Sequence, residues 1–146
     1  MIVLPEDMLE EATAASVIDP LPVPRAVRPS MEMIDDVARR IAQAERPLLL
    51  AGGGLNSPAG RAALKAASVA HNVPVVLTFK RQDLFPNVHP HYAGHLGFKI
   101  PKPMVDRYAD ADLILAVGTR LGETTTQGYT FPGVAGPQAA AHSCAR

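Results

Sequence analysis

Apolar positions along this chain follow two periods. Ile34, Val37, Ala38 and Ile41 fall at helical spacing and form one apolar face, with Arg39 and Arg40 lying elsewhere. Pro29-Ser30 marks the start of that helix, with Ser30 as N-cap and Glu32 in the electropositive first turn. Pro47-Leu48-Leu49-Leu50-Ala51 is too short for a helix and predicts a strand covered on both faces. Gly52-Gly53-Gly54 breaks it. Asn56 or Ser57 then caps a second helix with Pro58 at its permissive first position, alanine-rich through Ala70 and ending near His71-Asn72. Val73 to Phe79, rich in β-branched residues, predicts a second buried strand. Lys80 to Lys102, punctuated by Pro86, Pro90, Gly94, Gly97 and Pro101, reads as a long irregular stretch, and loops of that length are usually functional. A short helix from Pro103 to Ala109 precedes a third strand, Leu113 to Val117, ended by Gly118. Alternating helices and strands predict an α/β fold: a Rossmann-like parallel sheet in three layers, with helices on both faces.

The two ends of the chain depart from that rhythm. Met1 to Leu4 reads as the end of a buried strand, stopped by Pro5 and followed by Glu6-Asp7. Asp19-Pro20-Leu21-Pro22-Val23-Pro24 forbids helix and suits a semi-rigid linker. Together they suggest a domain upstream of this one. Residues 139–146, Ala-Ala-Ala-His-Ser-Cys-Ala-Arg after Gln138, alternate nothing, and they predict a tail that buries little and leaves a sheet edge open.

Composition narrows the class. A chain of 146 residues fits one domain. Its 14 basic and 14 acidic residues cancel, so no overall field draws it to nucleic acid or to an anionic membrane, and any anion site must be local. Cys144 is the sole cysteine, which excludes an intrachain disulfide and suits a reducing cytoplasmic setting. No apolar run approaches the ~20 residues a membrane span needs.

In a parallel sheet, ligands gather beyond the carboxyl ends of the strands. The first such end, Gly52-Gly53-Gly54-Leu55-Asn56-Ser57, leads into a helix whose N-terminus offers N–H groups to an anion. Ser57 stands where a dinucleotide fingerprint wants glycine, and a tight turn without ligand fits the same residues. The second end, Thr78-Phe79-Lys80-Arg81, offers a hydroxyl, an aromatic ring and two cations, suited either to a phosphate and flat ring or to a solvated basic turn. The third, Gly118-Thr119-Arg120, places an arginine that can pair with phosphate or bridge to Glu123. Jointly the three loops favour an anionic or nucleotide ligand. His71, His89, His91 and His95 lack the companions of a zinc site, so a loop-structuring or surface role is expected and no metal ligand is assigned. No Ser/His/Asp nucleophile motif, Walker loop or paired-cysteine motif is present, and no catalytic residue is assigned.

Leu48-Leu49-Leu50-Ala51-Gly52-Gly53-Gly54, Pro74-Val75-Val76 with Thr78, Leu96-Gly97, and Ala111 through Arg120 together resemble the central domain of thiamine-diphosphate-dependent enzymes. The likeness is to acetolactate synthase and its relatives, including benzaldehyde lyase-like and decarboxylase-like members. It implies four segments: residues 1–9 as a remnant of a preceding pyrimidine-binding domain, 10–29 as a Pro-rich linker, 30–137 as the central domain, and 138–146 as an atypical tail of a truncated sheet. It further implies missing partners, the pyrimidine-binding and diphosphate-binding domains, and a homo-oligomeric parent enzyme acting on 2-keto acids as a transferase or lyase. Thiamine diphosphate and magnesium belong to those other domains; their activating glutamate and Gly-Asp-Gly segment do not occur here. In some members the central domain binds FAD or ADP. By position, Gly52, Gly53, Gly54, Thr78, Phe79, Lys80, Leu96, Gly97, Gly118 and Arg120 match the nucleotide-contacting segments. Leu121-Gly122-Glu123-Thr124 departs from the acidic pair and arginine common in acetolactate synthases. The alternative expectation is a stand-alone nucleotide-binding structural or regulatory module.

Overall fold

In the computed structural model, which describes residues 3, 5–22, 28–133 and the backbone of 138–142, the alternating pattern becomes a five-stranded, wholly parallel sheet. The strands are β1 (Pro47–Ala51), β2 (Val75–Leu77), β3 (Tyr92–His95), β4 (Leu113–Val117) and β5 (Gln138–His142). They lie in the order β3-β2-β1-β4-β5, so chain direction across the sheet reverses between β1 and β4. Beyond the carboxyl ends of those two strands lies the switch point where doubly wound sheets hold ligands.

The helices are α1 (Met31–Gln43), α2 (Pro58–His71) and α3 (Lys102–Ala109). Ser30 caps α1 by accepting from the Met33 N–H, and Ser57, rather than Asn56, caps α2 by accepting from Gly60. Asn72 closes α2 in the left-handed conformation, with its N–H on the carbonyls of Ser68 and Val69.

Burial on both faces follows from strand parity. Leu49, Ala51, Val75, Leu77 and Leu115 point to one side, against Leu64 of α2, with Val37 and Ile41 of α1 packed at the margin. Leu48, Leu50, Val76 and Ile114 point to the other, against Tyr108 of α3 and Phe131. Helices therefore cover both faces, as the periodicity predicts. Tyr108 also donates to the Ala93 carbonyl at 2.7 Å, and burial, with a smaller contribution from Tyr92, pushes its phenol up to about 12.

Three expectations need correction. The second strand is shorter than 73–79: only Val75–Leu77 pairs, because the chain turns at Thr78, whose carbonyl accepts from Arg81. The stretch 80–102 is not wholly irregular. Tyr92–His95 pairs in parallel with β2, across a register shift between Val75 and Leu77. The tail also pairs: Gln138–His142 lies in register beside β4, from Leu113↔Gln138 to Val117↔His142. A ladder needs only backbone groups, and the exposed edge of β4 supplies them to an alanine run as readily as to any other. Residues 1, 2 and 4 of the expected strand-like start, 23–27 of the linker, and 143–146 of the tail lie outside the described residues, whereas Val3 is exposed and without regular structure.

Candidate functional site

The loops leaving β1, β2, β3 and β4 meet at the carboxyl edge of the sheet, with the β1 loop at the centre. Gly52 donates to the Val117 carbonyl at 3.0 Å, and Gly54 donates to the Gly118 carbonyl at 2.7 Å. A Cβ on Gly54 would sit 2.7 Å from Gly118 Cα, and one on Gly52 would meet Thr119. Gly118 itself turns with φ +61°, the left-handed region. Gly54 and Gly118 are thus required by backbone packing against backbone. The Gly54–Gly118 hydrogen bond draws the β1 and β4 loops directly together.

On the other flank of the β1 loop stands Arg81. Its Nε lies 2.8 Å from where a Cβ on Gly53 would be, and its Nη1 donates to the Lys80 carbonyl at 3.0 Å. Lys80 adopts φ +60°, uncommon for a residue with a side chain, and its Nζ sits 5.3 Å from the centroid of the Phe79 ring. Phe79 meets Phe98 edge to face at 4.7 Å between centroids. A Cβ on Gly97 would lie 3.3 Å from Phe79 Cδ2, which joins the β3 loop to the β2 loop. Gln127 closes the ring: its Nε2 donates to the carbonyls of Gly97 (2.9 Å) and Thr124 (2.7 Å), tying the β4 loop to the β3 loop.

Of the residues singled out from the sequence, Gly52, Gly53, Gly54, Thr78, Phe79, Lys80, Gly97, Gly118 and Arg120 stand at these loops. Thr78 is buried, donating its N–H to the Ala51 carbonyl at 2.9 Å. Leu96 lies in the core with its N–H on the Leu77 carbonyl, so its side chain has no access to a ligand at the edge. Arg120 is exposed and does not bridge to Glu123. Among the described residues, Lys80, Arg81 and Arg120 form no ion pair. On a chain of zero formal net charge, this rim is locally positive.

Sequence reasoning missed two parts of this edge. Phe98 and Tyr129 are exposed aromatics, each 71% accessible, flanking the Gln127 bridge. Arg61, in the first turn of α2, reaches both Asn56 and Asp83. Neither has a local signature in the sequence.

Two of the histidines, His89 and His91, structure the loop before β3, whereas His71 is exposed at the end of α2 and His95 ends β3. Ser68 Oγ lies 2.9 Å from His91 Nδ1, and His89 Nδ1 accepts from the His91 N–H at 3.1 Å. Ser68 is completely buried, which removes it as a nucleophile. Among the described residues, no three His, Cys, Asp or Glu side chains gather as a cation site, and no helix is long and apolar enough to cross a membrane.

Comparison with known proteins places the chain in a family. Residues 34–142 match the family described as thiamine pyrophosphate enzyme, central domain. The sulfoacetaldehyde acetyltransferase of Castellaniella defragrans is 38% identical over 104 residues, covering 70% of this chain and 17% of that protein. That of Rhodobacter capsulatus is 30% identical over 127 residues, covering 86% and 21%. A probable acetolactate synthase large subunit of Methanocaldococcus jannaschii is 33% identical over 94 residues, covering 64% and 16%. The chain thus spans no more than 21% of the length of these relatives. The matched region takes in all five strands and all three α-helices but for the first residues of α1. The chain belongs to the thiamine pyrophosphate enzymes, as a central domain of that family.

Proposed function

We propose that this domain serves a larger thiamine-diphosphate-dependent enzyme as a rigid spacer whose carboxyl edge receives an adenine nucleotide, FAD or ADP. The observation that carries the reading is that Lys80, Arg81 and Arg120 stand on the loops around the switch point of a β3-β2-β1-β4-β5 sheet, none of them in an ion pair among the described residues. Guanidinium groups pair with phosphate oxygens bidentately, and a lysine adds a point charge. Phe79 and Phe98 offer ring edges and faces beside those cations for a flat heterocycle.

In this proposal, residues 30–137 form the working domain, 10–29 a linker, and 1–9 the end of a pyrimidine-binding domain. Thiamine diphosphate and magnesium are held by pyrimidine- and diphosphate-binding domains on other segments of an oligomeric parent. The parent joins or cleaves 2-keto acids, a reading supported by relatives named as acetolactate synthase and sulfoacetaldehyde acetyltransferase. The thiazolium supplies the carbanion chemistry when bound. Residues of this chain hold, space and shield.

Titration of the chain with ADP and FAD, read as the midpoint of thermal unfolding, tests the reading. A ligand at a hundred times its dissociation constant stabilises the fold by about 2.7 kcal/mol, a readily measured shift. A shift that disappears in Lys80→Ala and Arg120→Ala supports the rim as the site. No shift from a cooperatively folded sample overturns the nucleotide part and leaves a bare spacer.

A further inference from the structure

We infer that Arg61 is the positioning residue for the cationic rim: its single guanidinium ties the β1 loop to the β2 loop and so sets where Lys80 and Arg81 stand. This rests on the rim being a nucleotide site, as proposed above. Arg61 Nη2 donates to Asn56 Oδ1 and to Asp83 Oδ2, each at 2.6 Å, and Nη1 donates to the Asp83 carbonyl. Asn56 ends the glycine turn that follows β1, and Asp83 lies two residues after Arg81. Arg61 itself is fixed to α2, where its N–H donates to the Ser57 carbonyl at 2.9 Å.

The β2 loop is anchored at its two ends without help from Arg61. Thr78 is buried at the strand end, and Leu84 and Phe85 are buried in the core beneath α2. Between these anchors stand Lys80, in the left-handed region, and Arg81, against Gly53. Asp83 gives that interval its tie to a helix, through both its carboxylate and its carbonyl. An exposed ion pair of two flexible side chains does little for stability. A planar fork reaching three acceptors on two loops differs, because each further bond is made by a group already oriented. It fixes geometry more than it adds stability. Lysine keeps the charge but presents a point donor and cannot span the same acceptors. Arg61→Lys therefore separates positioning from charge.

The test uses the whole chain, with Arg61→Lys and Asp83→Asn as variants: the first keeps a helix-favouring cation in the first turn of α2, the second lies outside the helices, and neither touches the buried core. Amide hydrogen exchange at residues 80–84 reads the rim directly, with residues 75–77 of β2 as internal reference. Both variants are expected to quicken exchange at 80–84 by about tenfold while β2 keeps its protection. Both are also expected to weaken ADP binding about threefold to tenfold, because the rim cations must then be ordered at the moment of binding. Unchanged exchange at 80–84 overturns the inference, whether or not ADP binds. Faster exchange with ADP affinity kept at the wild-type value also overturns it, since the rim then binds without the clamp. A wild-type chain that binds no ADP overturns the nucleotide reading instead, and the exchange measurement alone then decides whether Arg61 orders these residues.

Discussion

Ser68 Oγ donates to the Val73 carbonyl at 2.7 Å and lies 2.9 Å from His91 Nδ1, which fixes where the proton of that second contact resides. A hydroxyl has one hydrogen, and the carbonyl takes it. The bond to His91 must therefore be donated by Nδ1–H, with Ser68 Oγ accepting. One buried serine thus joins the last turns of α2, the approach to β2 at Val73 and the residue before β3.

Ser68→Ala removes that acceptor and donor together and leaves the Val73 carbonyl and His91 Nδ1–H without it. The expected loss is about 1–3 kcal/mol of unfolding free energy, read from urea denaturation. Nitrogen-15 spectra of the imidazole should show His91 protonated at Nδ1 in the wild-type chain. An Nε2–H tautomer at neutral pH, or a variant as stable as wild type, contradicts the assignment.

His89 answers to pH in the opposite sense from a salt-bridged histidine. Burial, then the neighbouring His91 and Lys65, hold its pKa below the ordinary 6.5, and its Nδ1 lone pair accepts the His91 N–H. Phe85 packs edge to face on the ring and offers no compensating charge. The unfolded chain therefore binds the proton first. Stability from this group is complete above pH 6.5 and is lost as pH falls through the lower folded value. His89→Asn keeps an acceptor that does not titrate. Melting midpoints recorded from neutral pH downward should fall less steeply for the variant than for wild type. Parallel slopes would sink the argument.

Gly54 and Gly122 make a matched pair of tests for the carboxyl edge. A Cβ on Gly54 would press on Gly118 backbone at 2.7 Å, whereas one on Gly122 meets nothing within 4 Å. Gly54→Ala should cost about 1–3 kcal/mol as the two loops are forced apart. Gly122→Ala should change stability by less than about 0.5 kcal/mol. Urea midpoints distinguish them. If Gly54→Ala folds as well as wild type but loses ADP binding, the glycine serves a ligand's approach and not the loop contact.

How far the chain could be read in advance depends on where each element gets its stability. The run Leu48-Leu49-Leu50 and the Ser57-Pro58 start of α2 are local signals, and both were legible. Strand β3 was not. Tyr92-Ala93-Gly94-His95 has no apolar run, and Gly94 carries φ +103°; pairing with β2 makes it a strand. The alanines of β5 likewise carry no β-branched signal and owe their conformation to the edge of β4. At the candidate site, the glycine and cation loops were visible in the sequence. That the glycines face one another, and that Arg61 holds a residue 22 positions away, follows only from the fold.

Asp112 gives the amino end of the sheet a clamp comparable to that of Arg61 at the carboxyl end. Its two carboxylate oxygens accept from the N–H groups of Glu45 (2.7 Å) and Arg46 (2.9 Å), and Arg46 Nε returns a bond to the Asp110 carbonyl at 2.8 Å. The turns entering β1 and β4 are thereby tied, and those strands pair along their full length. Partial burial works to raise the Asp112 pKa, but the two amide donors and the Arg46 charge outweigh it and hold the carboxyl below its ordinary 3.8. For a depressed carboxyl, the stabilisation is present above the unfolded value and is lost as pH falls through the folded one. Asp112→Ala should accordingly lower the melting midpoint at neutral pH, and the gap to wild type should narrow as pH drops below about 3.8. A gap that stays constant across that range would mean that the charge of Asp112 plays no part, and that the turn is held by the bond from Arg46 to Asp110 and by the Asp112 N–H on the Arg46 carbonyl.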